Sequence, residues 1–168
     1  MIFTIKKGKH YSNGFIYKIL NFFNFKNKLE YIVEFDDSAL YKIEGIDKYD
    51  INKLFGFSSG LHHKNSARFG WVVVEKEIFI YSYCYIDKKR VSQFITKINY
   101  NGRYKFSILD VDSEYVFTVS NIDTKESRHL TQEKGSQKTF RFGYKLWPYF
   151  GGNLKSPENI TISLTKAK

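Results

Sequence analysis

The stretch ARFGWVVVEKEIFIYSYCYI, residues 67–86, decides the fold. Two runs rich in β-branched and aromatic residues flank Glu75-Lys76. Each alternates with the period of two that marks a half-buried strand. Glu-Lys is not a favoured two-residue hairpin turn, so a four-residue loop is an alternative. Either loop predicts one register: Val73 opposite Ile78, Trp71 opposite Ile80, Phe69 opposite Ser82 and Arg68 opposite Tyr83. The even face of the second strand (Ile78, Ile80, Ser82, Cys84, Ile86) is small and aliphatic and suits a core. The odd face (Phe79, Tyr81, Tyr83, Tyr85) joins apolar rings to polar tips and suits a wet boundary. Ser66, Arg68 and Gly70 then stand beside Tyr85, Tyr83 and Tyr81. Phe69, Trp71 and Val73 go to the core.

Alternation continues on both sides of this hairpin. Phe3 and Ile5 start a first strand, and Tyr31, Val33 and Phe35 mark another. Residues 15–20 are ambiguous, and residues 45–57 have no clean period, with a helical turn expected at 50–55. Phe94 to Tyr100 leads to Asn101-Gly102, the strongest short hairpin signal in the chain. Tyr104, Phe106 and Ile108 alternate next, then Tyr115, Phe117 and Val119. Residues 121–137 are polar and read as a long exposed loop. Phe140, Phe142, Tyr144 and Leu146 share one face of a later strand, opposed to Arg141, Gly143 and Lys145. Ile160, Ile162 and Leu164 form one face of the last. Many short strands, polar turns and no interleaved helices predict an all-β chain. The expected architecture is a two-sheet antiparallel sandwich with at most one or two short helical turns.

A length of 168 residues suits a single β-sandwich domain over 1–168. A chain of this size buries about 70% of its unfolded surface, enough to hold without disulfides or metals. Hydrophobic residues make up 42%, which argues against disorder. Twenty-seven Lys and Arg against 17 acids leave a net charge of +10, a field that draws polyanions. Nucleic acid, nucleotides, acidic polysaccharide and anionic membrane are the candidate partners. An AT-rich codon bias, which enriches Lys, Asn, Ile, Phe and Tyr together, accounts for the same charge. Cys84 is the lone cysteine, so no internal disulfide forms and a reducing cytoplasm fits. The N-terminal MIFTIKKGKHYS has no apolar signal core. The expectation is a soluble cytoplasmic protein, or a secreted one if a signal peptide has been removed. No apolar run reaches the length of a membrane span.

Two local patterns extend the tyrosine face. The loop entering the hairpin, HHKNSAR, brings His62, His63, Asn65, Ser66 and Arg68 close in sequence. Arg68 framed by Tyr83 and Tyr85 suits bidentate capture of a carboxylate, sulfate or phosphate with a ring stacked alongside. Tyr81, Arg141 and Lys145 complete the candidate ligand-binding set. The competing reading is an exposed stripe of cross-strand tyrosine packing covered by Arg68. Adjacent histidines lack a third ligand at metal spacing, so no metal is expected. Ser66 lacks a nucleophile-elbow context, so no catalytic triad is expected. No cofactor is implied. The segment LWPYFGGN, 146–153, reads first as a structural corner before the last strand.

The order of aromatic hairpin, NG turn, strand into PYFGGN and then SPENITISL resembles the C-terminal half of concanavalin A-like jelly rolls. That class includes laminin-G-type modules and jelly-roll polysaccharide lyases, and the resemblance covers about residues 65–165. It implies two antiparallel sheets, with the ligand on the concave face of one. In the lyases that face carries Tyr and His for proton transfer and Arg or Gln against a uronate carboxylate. Tyr83, Tyr85, His62, His63 and Arg68 match those types. The QIH and YFKAGVYNQ-type strings of alginate lyases are not in the chain, and neither are acidic calcium clusters.

The leading expectation is a non-catalytic module binding an anionic ligand, either an acidic glycan or a nucleotide-like molecule. Two alternatives stand beside it. One is a phage or mobile-element protein that sequesters a nucleotide second messenger. The other is a polysaccharide lyase acting on uronate polymers. Nucleic-acid binding is a weaker reading, since no RNP string is present.

Overall fold

A computed structural model describes residues 1–135 and 143–167. Its strands, in chain order, are β1 (Ile2–Ile5), β2 (Phe23–Asn24), β3 (Lys28–Phe35), β4 (Asn52–Ser58), β5 (Ser66–Val74) and β6 (Glu77–Ile86), followed by β7 (Lys89–Ile98), β8 (Tyr104–Val111), β9 (Glu114–Asn121), β10 (Ser127–Glu133), β11 (Gly143–Leu146) and β12 (Ile160–Lys166). One six-residue helix, α1 (Phe15–Leu20), and two 3-10 turns are the helical content of the described residues. The strands form two six-stranded sheets, ordered β1-β12-β3-β8-β9-β10 and β2-β11-β4-β5-β6-β7. Each pairing between them is antiparallel. The chain is therefore an all-β sandwich, as its alternation predicts.

The inner faces pack ring against ring. Phe69 on β5 lies 4.8 Å from Phe106 on β8 and 5.1 Å from Phe117 on β9, centroid to centroid. Phe55 on β4 meets Phe69 at 5.4 Å and Tyr31 on β3 at 4.9 Å. Offset and edge-on rings at these distances add attraction beyond the area they bury.

The β5–β6 register is the predicted one, pairing Arg68 with Tyr83 and Trp71 with Ile80. The loop is the shorter alternative. Val74 pairs with Glu77, and Glu75 and Lys76 take φ of 52° and 64°, the signature of a type I′ turn. Strand twist demands that turn even from a Glu-Lys pair.

Three expectations need correction. The segment expected to turn helically at 50–55 is β4, and the 3-10 turn lies earlier, at Ile46–Tyr49. Its alternation fails because of a β-bulge. Lys53 pairs with Gly70 but Gly56 with Arg68, so one extra residue sits on β4 and both Leu54 and Phe55 are buried. Asn101-Gly102 makes a turn but not a hairpin. It links β7 in one sheet to β8 in the other, and Asn101 N–H donates to the Phe35 carbonyl at 2.6 Å. Turn chemistry is local, whereas the choice of strand partner is not. Within 121–137, β10 pairs with β9 as an edge strand. With one neighbour and one wet face it needs little apolar alternation.

A buried ion pair closes one end of the first sheet. Lys134 Nζ lies 2.6 Å from Asp110 Oδ1, and both side chains are out of solvent. Replacing Lys134 alone by Met leaves a buried carboxylate without its cation. Urea unfolding should show a loss of about 3–5 kcal/mol. The double change Lys134→Met with Asp110→Leu should recover most of that loss.

Candidate functional site

The outer face of the second sheet carries the site, and the ladder registers lay it out in rows. One row crosses the sheet as Tyr144, Ser58, Ser66 and Tyr85. The next crosses as Leu146, Gly56, Arg68 and Tyr83. Small residues on β4 and β5 keep the middle of the face low, while tyrosines rise on β6 and β11. A Cβ on Gly56 would fall 2.8 Å from Arg68 Cγ and 2.0 Å from the Ala67 carbonyl oxygen, so glycine here makes room for the arginine stem. Gly70, by contrast, leaves no open space on this face. Ile51 fills the place, with Cγ2 2.4 Å from where a Cβ would stand.

The depression is a cleft of about 830 Å³. Its walls come from α1 and β2 on one side and the 147–152 corner on another, with the histidine loop at one end. Tyr17 anchors α1 by packing edge-on against Trp147 at 5.5 Å and Phe3 at 5.9 Å. The corner is pinned by Asn52, whose Oδ1 accepts the Gly151 N–H at 2.7 Å. Gly152 adopts φ 73°, as its place in a tight corner requires.

Arg68 is at the centre. Its Nη2 donates to the Trp147 carbonyl at 2.7 Å, which ties β5 to the corner. Its Nε is shielded from solvent with no protein partner. Burial pulls its pKa down to about 10, against the opposing pull of Tyr83, Tyr144 and Tyr149, so it stays charged at neutral pH. Lys53, turned outward next to the bulge, holds its ammonium 4.8 Å from the Tyr83 ring and 5.8 Å from the Tyr149 ring. Burial, then repulsion from Arg68, lowers its pKa to about 8, with Asp50 acting against and Arg90 adding to the fall. Lys18 and Lys145 also line the cleft, and burial lowers both. No Asp or Glu is among the described lining residues.

At the far end His62 Nδ1 lies 3.0 Å from the Tyr144 hydroxyl, which also accepts the His62 backbone N–H at 3.1 Å. The hydroxyl can therefore donate its own proton to a neutral imidazole. Burial, His63 and Arg68 all lower the His62 pKa and favour that neutral form. His63 lies tilted against His62 with ring centroids 4.2 Å apart and meets Tyr85 edge-on at 5.0 Å. Ser66 Oγ donates to the His62 carbonyl at 2.7 Å and shapes the loop.

The structure thus gathers His62, His63, Ser66, Arg68, Tyr83, Tyr85 and Lys145 from the predicted set into one cleft. Two predicted members lie elsewhere. Asn65 is buried, and its Oδ1 accepts the Asp87 N–H at 3.0 Å, so it clamps the loop. Tyr81 packs edge-on against Phe94 at 5.8 Å, one step past the cleft. Arg141 lies outside the described residues. Tyr144, assigned by alternation to the face opposite Lys145, lines the cleft with it. Besides Tyr144, four polar members lie outside the predicted set: Tyr11, Lys18, Lys53 and Tyr149. The bulge hid Lys53. Lys18 reaches the cleft through the docking of α1, and Tyr11 through an isolated bridge to Tyr149 with the two rings edge-on at 5.0 Å, so no local pattern marks either.

No protein-family model matches the chain, and a comparison with curated proteins finds no sequence relative. Solved structures do match in shape. The alginate lyase from Klebsiella pneumoniae aligns with TM-score 0.64 at 10% identity, over 84% of this chain and 58% of its own. Scytalido-glutamic peptidase aligns with TM-score 0.54 at 11% identity, over 98% of this chain and 78% of its own. The LG1–3 region of the laminin α2 chain aligns with TM-score 0.49 at 9% identity, over 97% and 30%. The fold is that of the concanavalin A-like jelly rolls. The chain spans 58% of the length of the alginate lyase it resembles.

The lowered Lys53 pKa has a signed consequence. Below about 8 the folded state carries a poorly solvated ammonium, while the unfolded chain carries a solvated one. Between about 8 and the ordinary lysine value of 10.5 the unfolded chain binds the extra proton, so this group's contribution to stability rises with pH. Lys53→Met should raise the melting temperature at neutral pH, and the gain should shrink as pH climbs through that window. Thermal melts of the two proteins across it check this.

Proposed function

We propose that the cleft binds an anionic, ring-bearing ligand and that an acidic glycan fits it best. One observation carries this reading: Lys18, Lys53, Arg68 and Lys145 converge on a cleft with no carboxylate among its described lining residues. A cleft lined by one sign of charge focuses its field and raises the local concentration of anions. The unpartnered Arg68 Nε adds a specific reason. A buried donor without a partner costs about 1–3 kcal/mol, which a shift of the guanidinium toward a bound anion would relieve. The half-buried Tyr85, Tyr144 and Tyr149, all lining the cleft, offer apolar surface and hydroxyls together, as sugar rings require. The cleft volume of about 830 Å³ falls in the range of small-molecule sites. The shape likeness to an alginate lyase supports a carbohydrate over other anions.

One observation favours a second reading, β-elimination on a uronate polymer. The His62–Tyr144 contact at 3.0 Å puts a base and an acid beside a carboxylate-neutralising arginine. In this reading neutral His62 removes the proton next to the carboxylate and Arg68 stabilises the charge that develops, while the Tyr144 hydroxyl gives its proton to the glycosidic oxygen as the carbon–oxygen bond β to the carboxylate breaks and leaves the unsaturated product.

Calorimetry with oligomers of alginate and hyaluronan, a neutral glucan and a nucleotide panel tests both readings. Acidic oligomers should bind, and the neutral glucan should not. Lys53→Met should weaken binding about tenfold or more, the scale of one hydrogen bond to a charged group. Arg68→Lys should weaken it comparably, because a point charge cannot replace the planar fork. Tight nucleotide binding with none to acidic glycans would reject the glycan. New ultraviolet absorbance from an unsaturated product would establish the lyase, and its loss in Tyr144→Phe would locate the chemistry.

A further inference from the structure

The rim of the cleft holds a surface that anion binding does not explain. Phe15, Ile16, Ile19 and Leu20 on α1, with Phe23 and Phe25 beyond it, are between 55% and 78% exposed. No residue of α1 is buried, and Tyr17 alone packs it onto the core. Phe15, Ile19 and Phe23 edge the cleft, whereas Ile16, Leu20 and Phe25 lie outside it. Six large apolar side chains this exposed within eleven residues are unusual on a folded protein and mark a contact surface.

Its charge setting narrows the partner. Residues 1–29 contain six lysines and no Asp or Glu. Lys18 stands on α1 with its ammonium bonded to the Ser12 carbonyl at 2.6 Å, and Lys26 follows Phe25. Lys145, near enough to Lys26 and Lys166 to feel both, adds to the same region. The first acid along this stretch, Glu30, is bonded to Lys28 at 2.8 Å. Two copies meeting through this face would oppose lysine to lysine. An anionic bilayer offers what the face lacks, an apolar boundary under a negative surface. A six-residue helix is about 9 Å long, too short to cross and well matched to shallow seating. No helix among the described residues is long and apolar enough to span a membrane.

We propose that this collar seats on an anionic lipid bilayer, with its apolar side chains at the acyl boundary and its lysines among the headgroups. Seated so, the cleft opens onto the headgroup layer, where phosphates and sugars stand. The inference rests on the collar and not on the identity of the cleft's ligand.

Flotation of the full chain with vesicles tests it. One set is phosphatidylcholine alone, and the other is phosphatidylcholine mixed with phosphatidylserine. The chain should float with the mixed vesicles only, and high salt should weaken the effect. The triple variant Ile16→Ser, Leu20→Ser and Phe25→Ser lies outside the cleft and should lose about tenfold or more of that partition. Its melting temperature and glycan affinity should stay close to the parent's. Arg68→Lys should float like the parent, which separates failure of the collar from failure of the cleft reading. No partition into mixed vesicles overturns the proposal, as does partition that the triple variant leaves intact. A concentration-dependent dimer that the triple variant abolishes, without vesicle binding, overturns it in favour of a second copy.

Discussion

The ladder between β5 and β6 constrains everything else in this molecule. Its register puts Phe69 and Trp71 inward and Arg68 and Tyr83 outward. A slip by one residue would exchange those faces, driving a guanidinium into the aromatic core and turning an indole out of it. The inward rings close the core against Phe106 and Phe117, and that packing holds the register. Core and cleft are thus two faces of one hydrogen-bonded ladder, and neither is adjustable without the other.

Around that ladder the cleft is built from irregularities. The β4 bulge breaks alternation and leaves Lys53 on the outer face. Gly56 admits the arginine stem, and the corner at 147–152 supplies a carbonyl to its guanidinium. Each feature departs from regular strand geometry, and each bears on where a cation stands. The result is a group of positive side chains held close together, two of them with pKa values drawn down to about 10 and about 8. Holding like charges together in a poorly hydrated cleft is unfavourable on its own. The proposed anion would offset that repulsion.

The collar of α1 and β2 adds a second unrelieved feature beside the first. Apolar rings in water and closely spaced cations are both relieved by partners, but by different ones. Rings call for an apolar boundary, cations for anionic groups. Their adjacency on one rim makes the interfacial layer of an anionic membrane a common solution for both.

Alternation alone determined the strand-rich class, the β5–β6 register and the division of Arg68 and its tyrosines from the core. These follow from a local rule, since successive side chains on a strand point to opposite faces. The histidine loop was also legible, because it adjoins that hairpin in sequence. Only the tertiary structure decided which strands neighbour one another, so the NG turn proved to be a link between sheets. It also decided that Lys53, Lys18, Tyr11 and Tyr149 meet Arg68. Those residues arrive through a bulge, a docked helix and a corner, each set by packing between segments far apart in the chain. Periodicity carries no information about such contacts, because it describes one strand at a time, whereas a cleft belongs to several.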